Sequence, residues 1–548
     1  MEITQCNFSE NLDNITKNLK KSCFVAFDAE FTAIVAAEAF KHRLFDTNEE
    51  RYDRMKSVAS NMIMSQIGLT MFLYKRELDI YEAIVYTFYL RPQSFGDIDQ
   101  SFVFQASTLN FLCKHKFDFN KFIYEGLPYL SKAEENKVRQ ELKDKTFESK
   151  LLRGLEIADD KLLQHYSTEV SKWLYNSDEG TMYLDIEKPV LRYLAHNQIR
   201  SRFPDVLTTD SLGNSKKVLI FRDKYVEGAN SKPTTILEDN LISSLQGFSQ
   251  IISLLETYKK PIVGHNLYLD LVLLHNQFIG PLPKKYNTFK KNIHNLFPNL
   301  YDTKFISHKM WKNLPYDEVW KSNNLADLYE FFAENKCKKL QNNVNFIKLN
   351  TPLNMKQTYH DAGWDSYCTG YILIRLGHWA ASENCGKYRT LGPVEKLAAL
   401  SPYCNKVNVI RGANLYINFA AADPARHRPA WLLVKSLNER VINVDKVASV
   451  LAGFGSIDVK PYGHRTALIA TSSELTVEKI LKKFKNDSDY RISKYSVYRH
   501  SVAGPCNIVS APDADDRGLT LRISHASLKS YIQLLTRLFP IPISSIQV

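Results

Sequence analysis

Two acidic residues in an apolar run could form the first part of a metal site. Asp28 and Glu30 stand two positions apart in SCFVAFDAEFTAI, a run typical of a buried strand. Since side chains alternate along a strand, both carboxylates leave the same face. Two buried acids on one face repel each other and lose hydration, and a divalent cation that prefers oxygen ligands would offset that cost. The alternative is a strand end that reaches solvent.

Two later segments add acidic residues near predicted helix starts. In GHNLYLDLVLLH a strand is predicted to end at Gly264 and a helix to begin near Asn266, which puts Asp270 one turn into the helix. In YHDAGWDSYCTGYILI the spacing H-x₄-D joins His360 to Asp365 at the start of a buried helix. Taken alone, the first pattern favours an exposed carboxylate, and the second favours a capping histidine.

The order D-x-E, then D, then H-x₄-D, on strand, helix and helix, resembles the DEDDh exonuclease pattern of the ribonuclease H-like fold. Four carboxylates would hold two divalent ions, Mg²⁺ or alternatively Mn²⁺, about 4 Å apart. The predicted ligands are Asp28, Glu30, Asp270 and Asp365. His360 would act as the general base of phosphodiester hydrolysis, with a pKa suited to neutral pH. The tyrosine variant of the pattern fits less well, because Asp361 occupies the position four before Asp365.

The elements that must position these residues alternate between strands and helices. Strands are predicted at 22–34, 65–74 and 80–92, followed by a helix-leaning stretch at 131–174. LISSLQGFSQIISLLETYKK has the pattern of one continuous helix before the short strand PIVGH. Beyond about residue 429 the order strand, helix, strand, strand, helix, strand is predicted. An α/β domain with an insertion and a smaller α/β domain follow from this order.

Composition leaves the type of partner open. The chain has 548 residues, and 71 Lys and Arg against 59 Asp and Glu give a net charge of +12. Such an excess fits nucleic acid, an anionic membrane or a solubilising surface. The eight cysteines form no C-x-x-C pair, which argues against a zinc ribbon. We expect no signal peptide. No apolar run in this sequence approaches the ~18 residues of a membrane-spanning helix, which leaves open whether an anchor has been removed or a partner recruits the protein.

Longer stretches identify a family. QASTLNFL, FDFNKFIYEGLPYL, PIVGHNLYLDL and FKKNIHNLFPNLYDTK resemble the poly(A)-specific ribonuclease (PARN) family over essentially the whole nuclease domain. FDAEFTAI and the NIHNLFP…DTK…MWKNL stretch are more similar to the PARN-like-domain-containing branch, the pre-piRNA 3′-end trimming exonucleases. The family reads H-E-A-G where this chain has H-D-A-G with Asp361. By resemblance that side chain is not an expected ligand.

The resemblance also implies RNA contacts. Phe31 and Ile34 would contact the terminal nucleotides, and His265 and Lys304 would line the RNA path. An aromatic ring directly after the acids could stack near the scissile end, and a lysine could neutralise a phosphate. The alternatives are a core position for Phe31 and a solvated surface position for Lys304.

The resemblance divides the chain into a ribonuclease H-like exonuclease domain with two accessory α/β domains. The predicted ranges are 1–150 and 236–405 for the exonuclease, 151–235 for the insertion, 425–500 for the last domain and 501–548 for an extension. Arg192 and His196 in the insertion form the Arg-x-x-x-His signature of a single-strand nucleic-acid-binding domain, or else an ordinary basic helix. The last domain resembles an RNA-recognition motif, although GHRTALIAT lacks base-stacking aromatics.

The function predicted by resemblance is 3′→5′ hydrolysis of single-stranded RNA, most narrowly the trimming of pre-piRNA 3′ ends. A poly(A)-specific deadenylase and a non-catalytic RNA-binding protein are the alternatives. The resemblance further implies PIWI-bound RNA as substrate, no DNA substrate, a Tudor-domain scaffold partner and a homodimer. It also implies a cytoplasmic protein at the mitochondrial outer surface.

Overall fold

The computed structural model describes residues 1–33, 43–211, 214–222, 234–311, 320–334, 345–350, 357–385 and 391–496. The chain forms two compact units, Met1–His427 and Arg428–Val548. The predicted mixed α/β class is confirmed by the alternation of strands and helices in both units. None of the described helices is long and apolar enough to cross a membrane.

The described strands, numbered β1 to β16 in chain order, are Glu2–Ile3, Phe24–Phe31, Met64–Lys75, Ile80–Tyr89, Thr181–Asp185, Val206–Ser211, Asn214–Arg222, Ile262–Gly264, Leu300–Asp302, Ile347–Leu349, Lys406–Asn408, Tyr416–Asn418, Leu432–Ser436, Ile457–Gly463, Thr466–Thr471 and Tyr490–Lys494.

The described α-helices, numbered α1 to α18, are Phe8–Lys21, Asn48–Ala59, Ala106–Lys114, Phe119–Glu125, Lys132–Lys143, Phe147–Arg153, Ile157–Asn176, Pro189–Arg202, Thr234–Gln246, Ser249–Tyr258, Tyr268–Leu274, Tyr286–Leu296, Thr303–Trp311, Leu325–Ala333, Ala362–Cys385, Pro393–Ala399, Val444–Leu451 and Glu474–Lys483.

The first unit is built around one mixed sheet with the strand order β1-β4-β3-β2-β8-β9, and β10 also pairs with β4. β2, β3 and β4 pair antiparallel, whereas β8 runs parallel to β2. Separate hydrophobic clusters cover the two faces of this sheet. Because β3 is buried along almost its whole length, its sequence is apolar rather than alternating.

Helix α15 crosses β2, β3 and β4 at very short range. Three glycines make this approach possible. A Cβ atom on Gly68 would stand 1.8 Å from the Ala362 carbonyl oxygen, one on Gly363 would stand 2.1 Å from Thr87, and one on Gly370 would meet the Phe72 ring at 2.0 Å. The missing side chains therefore set the height of the helix above the sheet.

The stretch from residue 130 to 245 has its own hydrophobic cluster and the three-stranded sheet β5-β7-β6. The predicted single helix LISSLQGFSQIISLLETYKK is wrong, since the structure has two helices, α9 and α10. The break lies at Gly247, whose φ of 42° belongs to the left-handed region. A Cβ atom there would also lie 2.1 Å from the Pro128 carbonyl oxygen.

The second unit has the predicted order strand, helix, strand, strand, helix, strand. Its four strands form an antiparallel sheet in the order β14-β15-β13-β16. Leu432, Val434 and Ile469 point to one face, where α17 and α18 contribute Val447 and Ile480 to a common core. The predicted extension 501–548 lies outside the described residues.

Candidate active site

Strand β2 presents the first two predicted ligands on one face. In the register with β3, Asp28 lies opposite Gly68 and Glu30 lies opposite Gln66. Glu30 is 7% exposed, whereas Asp28 is half-buried. Residues opposite each other in an antiparallel pair share a face, so the acids stand beside a glycine and an amide side chain.

The start of α15 is held over this same face by β3. The side chain of Gln66 accepts a hydrogen bond from the Ala362 backbone N–H at 2.9 Å. Further along the strand, the hydroxyls of Thr70 and Ser366 lie 2.7 Å apart. The glycine between them, Gly68, leaves the space that the Ala362 carbonyl fills. β3 therefore places the first turn of α15 directly above the acids of β2.

Asp361 caps this helix. Its Oδ1 accepts hydrogen bonds from the backbone N–H groups of Gly363 and Trp364 at 3.1 and 3.3 Å. The preceding residue, His360, has a φ of 67° and donates its backbone N–H to Asp365 Oδ2 at 2.9 Å. The chain therefore turns sharply before the helix, and the imidazole of His360 and the carboxylate of Asp365 are brought together.

Glu30, His360 and Asp365 form a candidate metal group. One ligand atom from each lies within 4.8 Å of the others. Burial, followed by repulsion from Asp365 and Asp361, raises the pKa of Glu30 well above its usual range. Burial also raises the pKa of Asp365 to about 7. No donor in the described part of the chain reaches the buried Asp365 Oδ1 atom, so this oxygen is available to a cation.

Asp270 and Asp28 face the same group. Asp270 lies in the first turn of α11, directly after β8, the strand that pairs with β2. Burial raises the pKa of Asp270 to about 8. The pKa of Asp28 is raised by burial, then by the charges of Asp365, Asp270 and Glu30. The structure thus brings all four predicted acids within electrostatic reach of one another.

This donor set fits divalent cations of the Mg²⁺ type. All four acids offer hard oxygen atoms, and such ions prefer carboxylate oxygen. Without a cation, buried carboxylates at this separation repel each other and remain costly to ionise. A divalent metal would neutralise the four acids and would give the Asp365 Oδ1 atom, which has no partner among the described residues, a ligand bond.

Asp302, at the end of β9, is a further buried carboxylate, and no motif in the sequence predicted a role for it. It is 0% exposed, and its two oxygens accept five backbone hydrogen bonds at 2.9–3.2 Å. The donors are the amides of Asn266, Leu267, Lys304, Phe305 and Asn408. Asp302 therefore fixes the starts of α11, which carries Asp270, and of α13.

The residues predicted to contact RNA have different surroundings. Phe31 is buried at the end of β2 in the core of the unit. His265 Nδ1 lies 2.9 Å from the Thr303 hydroxyl, and burial, helped by the charge of Lys304, lowers its pKa to about 3. Lys304 is half-buried beside Asp302, and burial lowers its pKa. Ile34 lies outside the described residues.

A local sequence signal for the Asp361 cap was available. An aspartate directly before an apolar helix is a favoured N-cap, and here the side chain of Asp361, not that of His360, binds the helix amides. No comparable signal marks Asp302 or the ring of His115, which packs against His360. Their partners lie in separate parts of the sequence.

The family model and the relatives that match this chain are all ribonucleases. The model described as "CAF1 family ribonuclease" matches residues 3–373. A pre-piRNA 3′-exonuclease trimmer of Bombyx mori is 59% identical, over 97% of this chain and 100% of that protein. The poly(A)-specific ribonuclease PNLDC1 of Mus musculus is 28% identical over 92% and 96% of the two chains. The poly(A)-specific ribonuclease PARN of Bos taurus is 26% identical over 91% and 80%.

Proposed function

This chain belongs to the CAF1 family of ribonucleases and is a 3′→5′ exoribonuclease, and we propose that it trims the 3′ ends of pre-piRNAs. The observation that carries the substrate proposal is the 59% identity to the Bombyx mori trimmer, which extends over that entire protein. The identities to the PNLDC1 and PARN ribonucleases are less than half as high. The predicted resemblance to the trimming branch is confirmed by these comparisons, and the family carries the ribonuclease H-like fold.

In the proposed mechanism the four carboxylates of Asp28, Glu30, Asp270 and Asp365 would hold two Mg²⁺ ions, or Mn²⁺ in their place. Such ions would stabilise the charge that develops on the phosphate and on the leaving 3′ oxygen. The unpartnered oxygen of Asp365 supports this ligand set.

His360 is the proposed general base. The ring of His360 is only partly desolvated, because the residue is exposed to solvent. This partial desolvation, followed by the charges of His115 and Lys114, lowers the pKa of His360. Its imidazole is therefore neutral at physiological pH and can accept the proton of the attacking water. The hydrogen bond from the His360 N–H to Asp365 places the base beside the proposed ligands.

The RNA contacts of Phe31, Ile34, His265 and Lys304 belong to the same proposal. The pKa shift of His265 keeps its ring neutral, so it would contact RNA by hydrogen bonding and not by charge. Lys304 follows the helix start that Asp302 fixes, and its half-buried ammonium could meet a phosphate. Phe31 is buried in the core of the unit, which favours the alternative of a core position, and its contact with the terminal nucleotide stays a prediction from the resemblance.

We propose that the second unit has an RNA-recognition-motif-like fold, supported by its strand order. The proposed nucleic-acid-binding-like insertion, 151–235, contains β5 to β7 and lies inside the longer stretch, 130 to 245, that shares one hydrophobic cluster. Both residues of its Arg-x-x-x-His signature contact other residues of the insertion. Arg192 donates to the Ile186 carbonyl at 3.1 Å, and the His196 ring lies 2.7 Å from the Thr208 hydroxyl. These contacts favour a structural role for the pair. Four further expectations stay predictions from the resemblance: PIWI-bound RNA as substrate, a Tudor-domain partner, a homodimer and a location at the mitochondrial surface.

The test uses two 5′-labelled single-stranded RNAs with Mg²⁺, one ending in oligo(A) and one in mixed sequence. We expect the wild-type protein to shorten both at similar rates, Asp28→Ala to shorten neither, and a matched exposed control, Asp13→Ala, to behave like the wild type. Shortening of the oligo(A) RNA alone would identify a deadenylase. Binding without shortening of either RNA would favour the non-catalytic alternative.

A further inference from the structure

The end of helix α3 packs two rings against the imidazole of His360. His115, the residue directly after the helix, has its ring centroid 4.2 Å from that of His360, at an interplanar angle of 60°. Phe111, one turn earlier, lies 4.8 Å from His360 and 4.6 Å from His115. The three rings therefore form a closed triangle in which each touches the other two.

The other end of α3 is tied to the strand that carries the acids. The Gln105 backbone N–H, at the start of the helix, donates to the Thr32 carbonyl at 3.1 Å. Thr32 is fully buried, directly follows β2, and donates its own N–H to the Ile63 carbonyl at 3.0 Å. Helix α3 therefore connects the end of β2, close to Glu30, with His360 on the opposite side of the site.

The imidazole of His360 depends on such support. The residue is exposed, and no hydrogen bond from the described residues to its ring nitrogens holds the ring in one orientation. The torsion between a Cβ atom and an aromatic ring has broad preferences, so ring orientation has to come from contacts. Edge-to-face contact between aromatic rings is a favoured geometry that supplies this restraint.

We propose that His115 is a positioning residue for the reaction, because its ring holds the imidazole of His360 over Glu30 and Asp365. The proposal rests on the proposed function, in which His360 is the general base. His115 is half-buried at a helix end, so replacing it removes the ring contact without opening the core. A base that samples wrong orientations lowers turnover and leaves substrate binding unchanged.

The first experiment measures kcat and KM with 5′-labelled RNA and Mg²⁺. We expect His115→Ala to lower kcat about tenfold with KM within about twofold, as for a misplaced base. His115→Phe restores the ring and should recover kcat to within about threefold of wild type. Cys113→Ser, an exposed change on the same helix, is the control with unchanged kinetics. Unchanged kcat in His115→Ala, or a raised KM at unchanged kcat, would overturn the proposal.

A double-mutant cycle separates this proposal from the function on which it rests. In the His360→Ala background, measured under single-turnover conditions, His115→Ala should cause no further loss. A second tenfold loss would mean that His115 acts independently of the base. Wild-type turnover in His360→Ala would refute the role of His360 itself. Melting temperatures check folding, and His115→Gln, which lacks the ring, replaces His115→Ala if that variant unfolds.

Discussion

The first unit contains two groups of acidic side chains with different surroundings. One is the single carboxylate of Asp302 at the end of β9; the other is the acidic cluster, defined as Asp28 and Glu30 on β2, Asp270 on α11 and Asp365 on α15. Asp302 accepts five backbone hydrogen bonds from the starts of two helices and from β11. Among the described residues the acidic cluster has fewer donors, such as the His360 N–H that binds Asp365, and its members raise one another's pKa values. A buried acid with many hydrogen-bond donors stabilises the fold, whereas neighbouring acids with few donors can bind a cation.

The two regions are also coupled. Asp302 orders the backbone before α11, and the first turn of that helix carries Asp270. The charge of Asp302 in turn contributes to the raised pKa of Asp270. The fully bonded carboxylate therefore helps to place a member of the poorly bonded group. The hydrogen bonds of Asp302 therefore stabilise the backbone that holds Asp270 in the destabilising acidic cluster.

The largest expected effect is on turnover. Glu30→Gln keeps the shape of the side chain but removes the charge that a divalent ion needs. We expect kcat to fall about a thousandfold, which corresponds to roughly 4 kcal/mol in the activation barrier. The measurement is shortening of 5′-labelled RNA with Mg²⁺, with the exposed Glu10→Gln as the matched control. A loss below about tenfold would remove Glu30 from the proposed ligands.

Substitution of Asp302 should lower the free energy of unfolding. Asp302→Ala leaves five amide donors with no carboxylate in a buried site. Since each unsatisfied buried donor costs about 1–3 kcal/mol and water can enter part of the space, we expect a total loss of roughly 3 kcal/mol. Urea unfolding measures the loss of stability. Asp302→Asn retains one acceptor oxygen, so its stability should lie between those of the wild type and Asp302→Ala. A change below about 0.5 kcal/mol in Asp302→Ala, the size expected of an ordinary surface substitution, would show that Asp302 does not stabilise the fold.

Features of the site that depend on local sequence could be predicted, and features that depend on distant segments could not. Side-chain alternation and helical periodicity are local, so the face shared by Asp28 and Glu30 and the position of Asp365 in the first turn of a helix followed from the sequence. The donors of Asp302 come from three segments that no local pattern relates. The failed single helix had a local cause, since Gly247 takes a positive φ that periodicity does not encode. The ligand and RNA-contact roles themselves stay predictions.

Lys396 is a buried basic group in the same unit. It is 3% exposed, its Nζ donates to Asn345 Oδ1, and Nζ lies 4.8 Å from the centroid of the Tyr81 ring. Burial, followed by the charge of Arg375, lowers its pKa from 10.5 to about 7. Between these values the unfolded chain binds a proton that the folded chain does not, so the stability contributed by this site rises with pH.

Unfolding free energies at pH 7.5 and 9 test this sign. Relative to Lys396→Met, the wild-type protein should gain stability as pH rises, by at most about 1.4 kcal/mol per pH unit. The exposed Lys17→Met is the matched control and should follow the wild type. Equal pH dependence in the wild type and in Lys396→Met would show that Lys396 is protonated in the folded chain throughout this range.

The smallest expected effect is a change in stability that tests directly whether the acidic cluster, unlike Asp302, binds a cation. In EDTA, Asp28→Asn removes one of four mutually repelling carboxylates and should stabilise the protein by about 1 kcal/mol. Addition of Mg²⁺ should reverse the order, because the ion binds the folded wild type and adds stability by mass action. Thermal melts in both buffers measure this crossing. If Asp28→Asn is the less stable variant in EDTA as well, Asp28 resembles Asp302 and the acidic cluster is a structural one.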